Sequence, residues 1–242
     1  MRAHFGWVHA ILSRVASSDN AIAKLTAPGA NQLLQFLNAR TQRKSRVFDT
    51  TFGTDTYGRL DVPVSKEGLD NPIWGYSAIN HDFFREIFRA IPGDLTKYTF
   101  VDVGSGKGAA VMMAAEFPFR QLIGLELNTE LVDIARKNII QFNQRAPVSI
   151  NPQWVEGDFF HWDLPRQPLL FFFNNPFPPD LSLQAIKHLD ACLSDTRQTA
   201  LLVFRKAPQA TGNYLRQSSF WKPLRLAPYW RVYITRGAQD VQ

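Results

Sequence analysis

The stretch of this sequence with the most chemistry in it is Val101-Asp102-Val103-Gly104-Ser105-Gly106-Lys107-Gly108. Closely spaced glycines directly after a short apolar run let the backbone turn tightly and let a ligand approach amides that a Cβ would block. Gly104, Gly106 and Gly108, with Ser105 between them, therefore predict a ligand-binding turn. Glu126 stands 22 residues beyond Gly104 at the end of a second apolar run, where a carboxylate can accept both hydroxyls of a ribose. That spacing suits a nicotinamide dinucleotide and a sulfonium nucleoside equally, because Gly104, Gly106 and Ala109 also satisfy the dinucleotide pattern. A P-loop is excluded, since Gly108 follows Lys107 where Ser or Thr would be needed. Asp102 discriminates between the other two: a carboxylate so close to the turn repels pyrophosphate and suits a cationic amino-acid ligand.

A second group of residues is Phe173-Asn174-Asn175-Pro176-Phe177-Pro178-Pro179. Asn174 and Asn175 can accept hydrogen bonds from an amine, Pro176 stiffens the following backbone, and Phe177 offers an apolar wall. No histidine identifies itself as a base. Cys192 lies in an apolar helical pattern and reads as inert core, and one cysteine cannot build a multi-cysteine metal site. No metal is expected.

These residues need elements to hold them. Phe83, Ile87 and Ile91 mark a helix beginning near Asn80 or Asp82 and stopped by Pro92-Gly93. Strands are predicted at 98–103, 121–125, 154–155, 169–173 and 200–204, with a last alternating one at 230–234 and a closing hairpin from Trp221. Helices are predicted at 109–117, 129–142 and 181–193. Leu169–Phe173 is apolar at every position, as in parallel strands covered on both faces. The order argues for a doubly wound α/β sheet, with Asn174 and Glu126 at the carboxyl edge where such sheets bind ligands. Upstream, apolar spacing predicts helices near 5–15 and 31–37, a solvated connector at 40–46, and a loop or linker from Thr50 to Pro72.

Asp102–Gly108 followed by Glu126 resembles the seven-stranded, Rossmann-like (class I) S-adenosylmethionine-dependent methyltransferases. The resemblance runs from about Trp74 to Ile234 and is nearest in flavour to uncharacterised bacterial members and protein-lysine methyltransferases. It implies a mostly parallel seven-stranded sheet with helices on both faces, preceded by an N-terminal helical arm. It also implies S-adenosylmethionine as cofactor, with the glycine turn beneath its methionyl part and Glu126 on its ribose. After the third strand, Asp158 and Phe159 match the positions beside the adenine. Trp74-Gly75-Tyr76-Ser77 resembles an aromatic segment in which Tyr76 would approach the cofactor carboxylate, although Ser77 and Ala78 stand where Pro and Thr are usual. Asn174–Pro178 resembles both the Asn-Pro-Pro-aromatic tetrad of amino-directed enzymes and the Asn-Asn-Phe of seven-stranded histone-lysine enzymes, and departs from each by one residue. Asp49–Gly58 resembles a Phe-Gly-x-Asp-Thr segment of uncharacterised bacterial relatives, in which Asp55 and Tyr57 would belong to a lid. The implied division is 1–73, arm and substrate loop, and 74–242, catalytic domain.

The implied activity is methyl transfer to an amino nitrogen, with protein lysine as the finer reading. The acceptor lone pair must lie opposite the carbon–sulfur bond at roughly 3 to 3.5 Å, and no covalent nucleophile is required. Two other functions share the same residues: a non-catalytic S-adenosylmethionine-binding regulator, suggested by the imperfect Asn-Pro segment, and an NAD-dependent oxidoreductase, which Asp102 opposes. Composition bounds the setting. In 242 residues, 45% are hydrophobic and 20% charged, which excludes a wholly disordered chain. The net +6 hides basic ends, +5 over 1–60 and +6 over 201–242, around a middle of −5. Nucleic acid is weighed as a partner on that ground and set behind a methyl-acceptor substrate of protein nature. No apolar run reaches membrane-spanning length, and the single cysteine fits a reducing, cytoplasmic setting.

Overall fold

A computed structural model describes residues 46–58 and 78–236 of the protein. The expected helices near 5–15 and 31–37, and Tyr76, lie outside the described residues. Within them the elements are α1 (46–52), α2 (His81–Arg89), β1 (Thr99–Val103), α3 (Ala109–Met113), β2 (Gln121–Glu126), α4 (Thr129–Arg145), β3 (Gln153–Glu156), β4 (Leu169–Asn174), α5 (Pro179–Thr196), β5 (Ala200–Arg205), α6 (Gln209–Gln217), β6 (Trp221–Leu226) and β7 (Trp230–Thr235). Single 3-10 turns occupy Leu95–Lys97, Ala114–Glu116 and Phe159–His161.

Local chemistry sets several boundaries. The Asn80 side chain accepts from the Phe83 amide to start α2, and Asn128 accepts from the Leu131 amide to start α4. Helix α5 begins earlier than its apolar spacing indicates, because Pro179 occupies the first turn, where no amide is needed. Helix α3 is shorter than the expected 109–117; all five of its residues are buried, and the chain tightens into a 3-10 turn before Pro118.

Two segments differ from expectation. Residues 46–52 are helical where a connector and a loop were expected. Phe48 and Phe52, one turn apart, pack on Phe142 of α4 with centroids 6.2 and 4.8 Å away, so tertiary contact stabilises a segment of weak local pattern. Helix α6 was not legible because Gly212 interrupts it. A Cβ there would stand 3.0 Å from Arg231 Nη1, the far end of a flexible side chain, and burial of Leu215 secures the helix instead.

The sheet has seven strands in the order β3-β2-β1-β4-β5-β7-β6, parallel except for β7, which pairs antiparallel with both neighbours. Side chains alternate across it. One face carries Phe100, Leu170, Phe172 and Val203 against Phe84 and Phe88 of α2, with α3 and Phe142 of α4. The other carries Val101, Phe171, Phe173 and Leu202 against Ala185, Ile186 and Leu189 of α5 and Leu215 of α6. Leu169–Phe173 at the centre are all 0% exposed, as their unbroken apolar run implies. Among the described residues, no helix is long and apolar enough to cross a membrane.

Candidate functional site

The alternation that fills the core also decides which polar residues meet. Glu126, Asn174 and Arg205 end β2, β4 and β5 with the same parity as Leu122, Phe172 and Val203, so all three belong to the α2–α4 face. Asn174 pairs with Arg205 in register, and Val103 with both Leu125 and Phe173. One residue further on, Glu126, Gly104, Asn174 and Arg205 form a row across the carboxyl edge. Asp102 lies on the same face of β1, below the turn.

The turn requires its glycines on geometric grounds. Gly104 and Gly108 have φ of +71° and +83°, a region costing other residues about 1 to 2 kcal/mol. A Cβ on Gly104 would stand 2.8 Å from Pro176 Cβ, and one on Gly108 would stand 2.5 Å from the Trp154 ring. Trp154 of β3 also fills the space beside Gly124. The amides of Gly104 and Ser105 donate to Leu125 O at 2.9 and 3.0 Å, and that of Gly108 to Ser105 O at 2.9 Å. Those three amides are engaged within the protein. What the turn offers a ligand is close approach, together with the carboxylates on its flanks.

Glu126 and the turn are in direct contact. Its Oε2 accepts from Gly106 N at 2.8 Å and its Oε1 from Asn128 N at 2.9 Å. Burial pushes its carboxyl above the usual range, against the pull of the Asn128, Gly106 and Leu127 amides. A carboxylate offers about four lone-pair sites, so with these three amides it keeps capacity for about one further donor, such as a ribose hydroxyl. Asp102 is 3% exposed and accepts no hydrogen bond from the described residues. Burial, and then the charge of Glu126, push it up to about 8. The Ser105 hydroxyl is buried without a partner.

Asp158 caps the 3-10 turn after β3, accepting from the Phe160 amide at 3.0 Å and lying 3.1 Å from His161 Nδ1. Phe159 is buried, with centroids 5.7 Å from Phe173 and 5.6 Å from Phe177. Next to Asp158, Gly157 has open space around it. On the acceptor side, Asn174 Oδ1 accepts from Arg205 Nη1 at 2.9 Å. Asn175 is exposed with φ of 60°, conformationally tolerable for Asn. Pro176 packs on Gly104. Phe177 lies 5.8 Å from Phe160 and 5.9 Å from Phe173, within the core cluster of the α5–α6 face. Cys192 is half-buried, its Sγ 3.6 Å from His188 Nε2 and its thiol pushed up mainly by burial.

The loop after α1 is fastened to the glycine turn. Asp49 gathers the Thr54 hydroxyl, the Thr56 amide and hydroxyl, and the Tyr57 amide at 2.6 to 2.8 Å. Asp55 meets Lys107 Nζ at 3.0 Å, and buried Asn138 of α4 bonds the Asp55 amide, the Asp55 carbonyl and the Lys107 carbonyl at 2.7, 3.1 and 3.0 Å. Sequence reasoning missed Asn138, Trp154 and Arg205. Asn138 carried a signal, as an Asn on the apolar side of a helix; Arg205, at the end of an otherwise apolar strand, carried another.

An adenosyl ligand fits this edge. The turn permits close approach, Glu126 ends β2 beside it with its carboxylate on the Gly106 amide, and Asp102 is a buried acid on the same face, where a cation would favour its charged form. Residues 73–209 match the family model described as histone methylation protein DOT1. Solved structures with a similar fold include an RNA methyltransferase from Salinibacter ruber in complex with S-adenosyl-L-homocysteine, at 19% identity over 75% of this chain and 99% of that one, with a TM-score of 0.41. An rRNA methyltransferase from Streptomyces viridochromogenes matches at 13% identity over 67% and 87% of the two chains, with a TM-score of 0.45. Magnesium protoporphyrin IX methyltransferase from Synechocystis matches at 13% identity over 65% and 80%, with a TM-score of 0.41. No curated protein matches the sequence. With more than half its length matched by one family model, the chain belongs to the DOT1 histone-methylation family and is an S-adenosylmethionine-dependent methyltransferase, which sets aside the oxidoreductase and non-catalytic readings.

Proposed function

We propose that the protein methylates an amino nitrogen, with a protein lysine as the acceptor class; the family description, histone methylation, supports a protein acceptor. The observation that carries this reading is the contact of Pro176 with Gly104, which brings the Asn-Pro turn against the cofactor turn. In strand order, Asp158, Glu126 and the glycine turn follow β3, β2 and β1, so adenine, ribose and methionyl groups would be met in that sequence. The transferable methyl would then face β4, where Asn174 stands.

When bound, S-adenosylmethionine supplies a methyl group on a cationic sulfur. Glu126 would hold the ribose, Asp102 and Ser105 would face the methionyl end, and Asp158 and Phe159 would border the adenine. Asn174 would orient the acceptor nitrogen, whose lone pair forms the new carbon–nitrogen bond as the carbon–sulfur bond breaks. Asn175 and Pro176 shape the turn, and Phe177 anchors it to the core. A lysine must arrive neutral, and leaving water for this edge lowers its proton affinity.

The test is labelled methyl transfer from S-adenosylmethionine into protein, nucleic-acid and small-molecule pools, with parent and Asn174→Ala compared on the accepting fraction. Label is expected at nitrogen. The variant should lose roughly 100-fold in kcat/KM, as when one positioned polar contact is removed, while its cofactor Kd stays within about threefold. Label at oxygen or carbon, or equal turnover by the variant, would remove Asn174 from this role.

A further inference from the structure

The row that holds Glu126, Gly104 and Asn174 ends on a cation whose counter-charge is missing from the described residues. Arg205 is partly buried, its Nε is sealed from solvent without a hydrogen-bond partner, and its guanidinium donates only through Nη1, to neutral Asn174. Its guanidinium also lies over the uncharged Phe83 ring, 5.3 Å from Cζ, and the nearest charge is the like charge of Lys206. No carboxylate of a described residue lies within ion-pair distance. Removing a guanidinium from water without a compensating charge is costly, and a native structure that does so calls for a reason.

Place supplies the reason. Strands in a sheet lie about 4.8 Å apart, so Arg205 on β5 stands about 10 Å from the glycine turn after β1, with Asn174 between them. The cofactor groups spread the opposite way, over β1, β2 and β3. Lys206, immediately after Arg205, is held at φ of 53°, as Asn175 is held at 60° after Asn174. A left-handed residue thus follows both strands at this end of the edge; for Asn175 that conformation is tolerable, and for Lys206 it is strained, as is common beside ligand sites.

We propose that the methyl acceptor carries a carboxylate that pairs with Arg205 while its amine lies beside Asn174. This inference rests on the methyltransferase reading and refines it: the acceptor is an amine with an acidic group nearby, such as a lysine beside Asp or Glu. A lysine embedded in a basic segment meets Arg205 and Lys206 as like charges and is disfavoured. The guanidinium fork matches the two oxygens of a carboxylate.

The experiment uses the full chain, S-adenosylhomocysteine and glutarate as a carboxylate probe. Calorimetry should show S-adenosylhomocysteine binding alike, within about twofold, to the parent, Arg205→Gln and Arg205→Lys. With that site saturated, glutarate should bind the parent, at least tenfold more weakly to Arg205→Gln, and within about threefold of the parent to Arg205→Lys. Glutarate should also raise the parent's melting temperature above a chloride control of equal ionic strength, a readout that needs no variant. Glutarate that fails to bind, binds Arg205→Gln as well as the parent, or is outcompeted by inorganic phosphate at equal concentration overturns the proposal. A tenfold loss of S-adenosylhomocysteine affinity in Arg205→Gln also overturns it, because the carboxylate would then be the cofactor's own. Failure of the parent to bind S-adenosylhomocysteine is a separate result, which sinks the cofactor reading beneath it.

Discussion

Asp102 is the residue on which the physics of this site presses hardest. It sits under a glycine turn with Glu126 as its charged neighbour, and folding holds its carboxyl at about 8 against the usual 3.8. Between those values the native state keeps a proton that the unfolded chain has lost, so stability falls as pH rises through that window and is level below it. A full proton corresponds to about 1.4 kcal/mol per pH unit. Asp102→Asn should therefore equal the parent at pH 3.5 and exceed it clearly at pH 8 in urea unfolding; parallel curves at the two pH values would show Asp102 ionised in the folded state. A cation placed beside Asp102 favours its charged form. S-adenosylmethionine binding at pH 7 should accordingly release protons, seen as a calorimetric heat that changes with the ionisation enthalpy of the buffer. The sequence marked Asp102 by type and position, but its burial follows from the helices above it.

At the scale of elements, the loop 53–58 and α4 show how a short-range pattern is completed by a distant residue. Asp49 organises the loop, but Asn138 joins it to the Lys107 carbonyl and so to the glycine turn. Asn138→Ala leaves the Asp55 amide and the Lys107 carbonyl without their partner, an expected loss of about 1 to 3 kcal/mol. Proteolysis within 53–58 should quicken, and S-adenosylmethionine affinity should weaken severalfold. Unchanged cleavage and affinity would make the link incidental. Most strands and long helices were legible, because apolar runs between glycine and proline stops leave few alternatives. The exceptions were α1 and α6. The first is secured by Phe142, nearly a hundred residues away in sequence, and the second forms despite Gly212 because Leu215 and its buried side join the core.

For the whole molecule, the central parallel strands, covered by helices on both faces, end at one carboxyl edge, so ligand binding there is linked to global unfolding. S-adenosylmethionine at 100 times its Kd should add about 2.7 kcal/mol. For a chain of this size that corresponds to a rise of about 5 to 10 °C in Tm, and NAD at the same concentration should give no shift. Equal shifts by both would contradict the discrimination assigned to Asp102. The outer strand β6 presents Lys222, Pro223 and Arg225 to solvent, and a register shift lies between the last two. Such features discourage pairing with another sheet.

The sequence alone determined the α/β class, the glycine turn, its acidic partner and the Asn-Pro segment, because each follows from backbone freedom or from the period of apolar residues within a few positions. Only the tertiary structure decided that Gly104 meets Pro176, that Asn138 fastens the loop to the turn, and that Arg205 ends the polar row beside Asn174. Those facts depend on strand order and register, which set the neighbours of residues far apart in the chain and leave little trace in local composition.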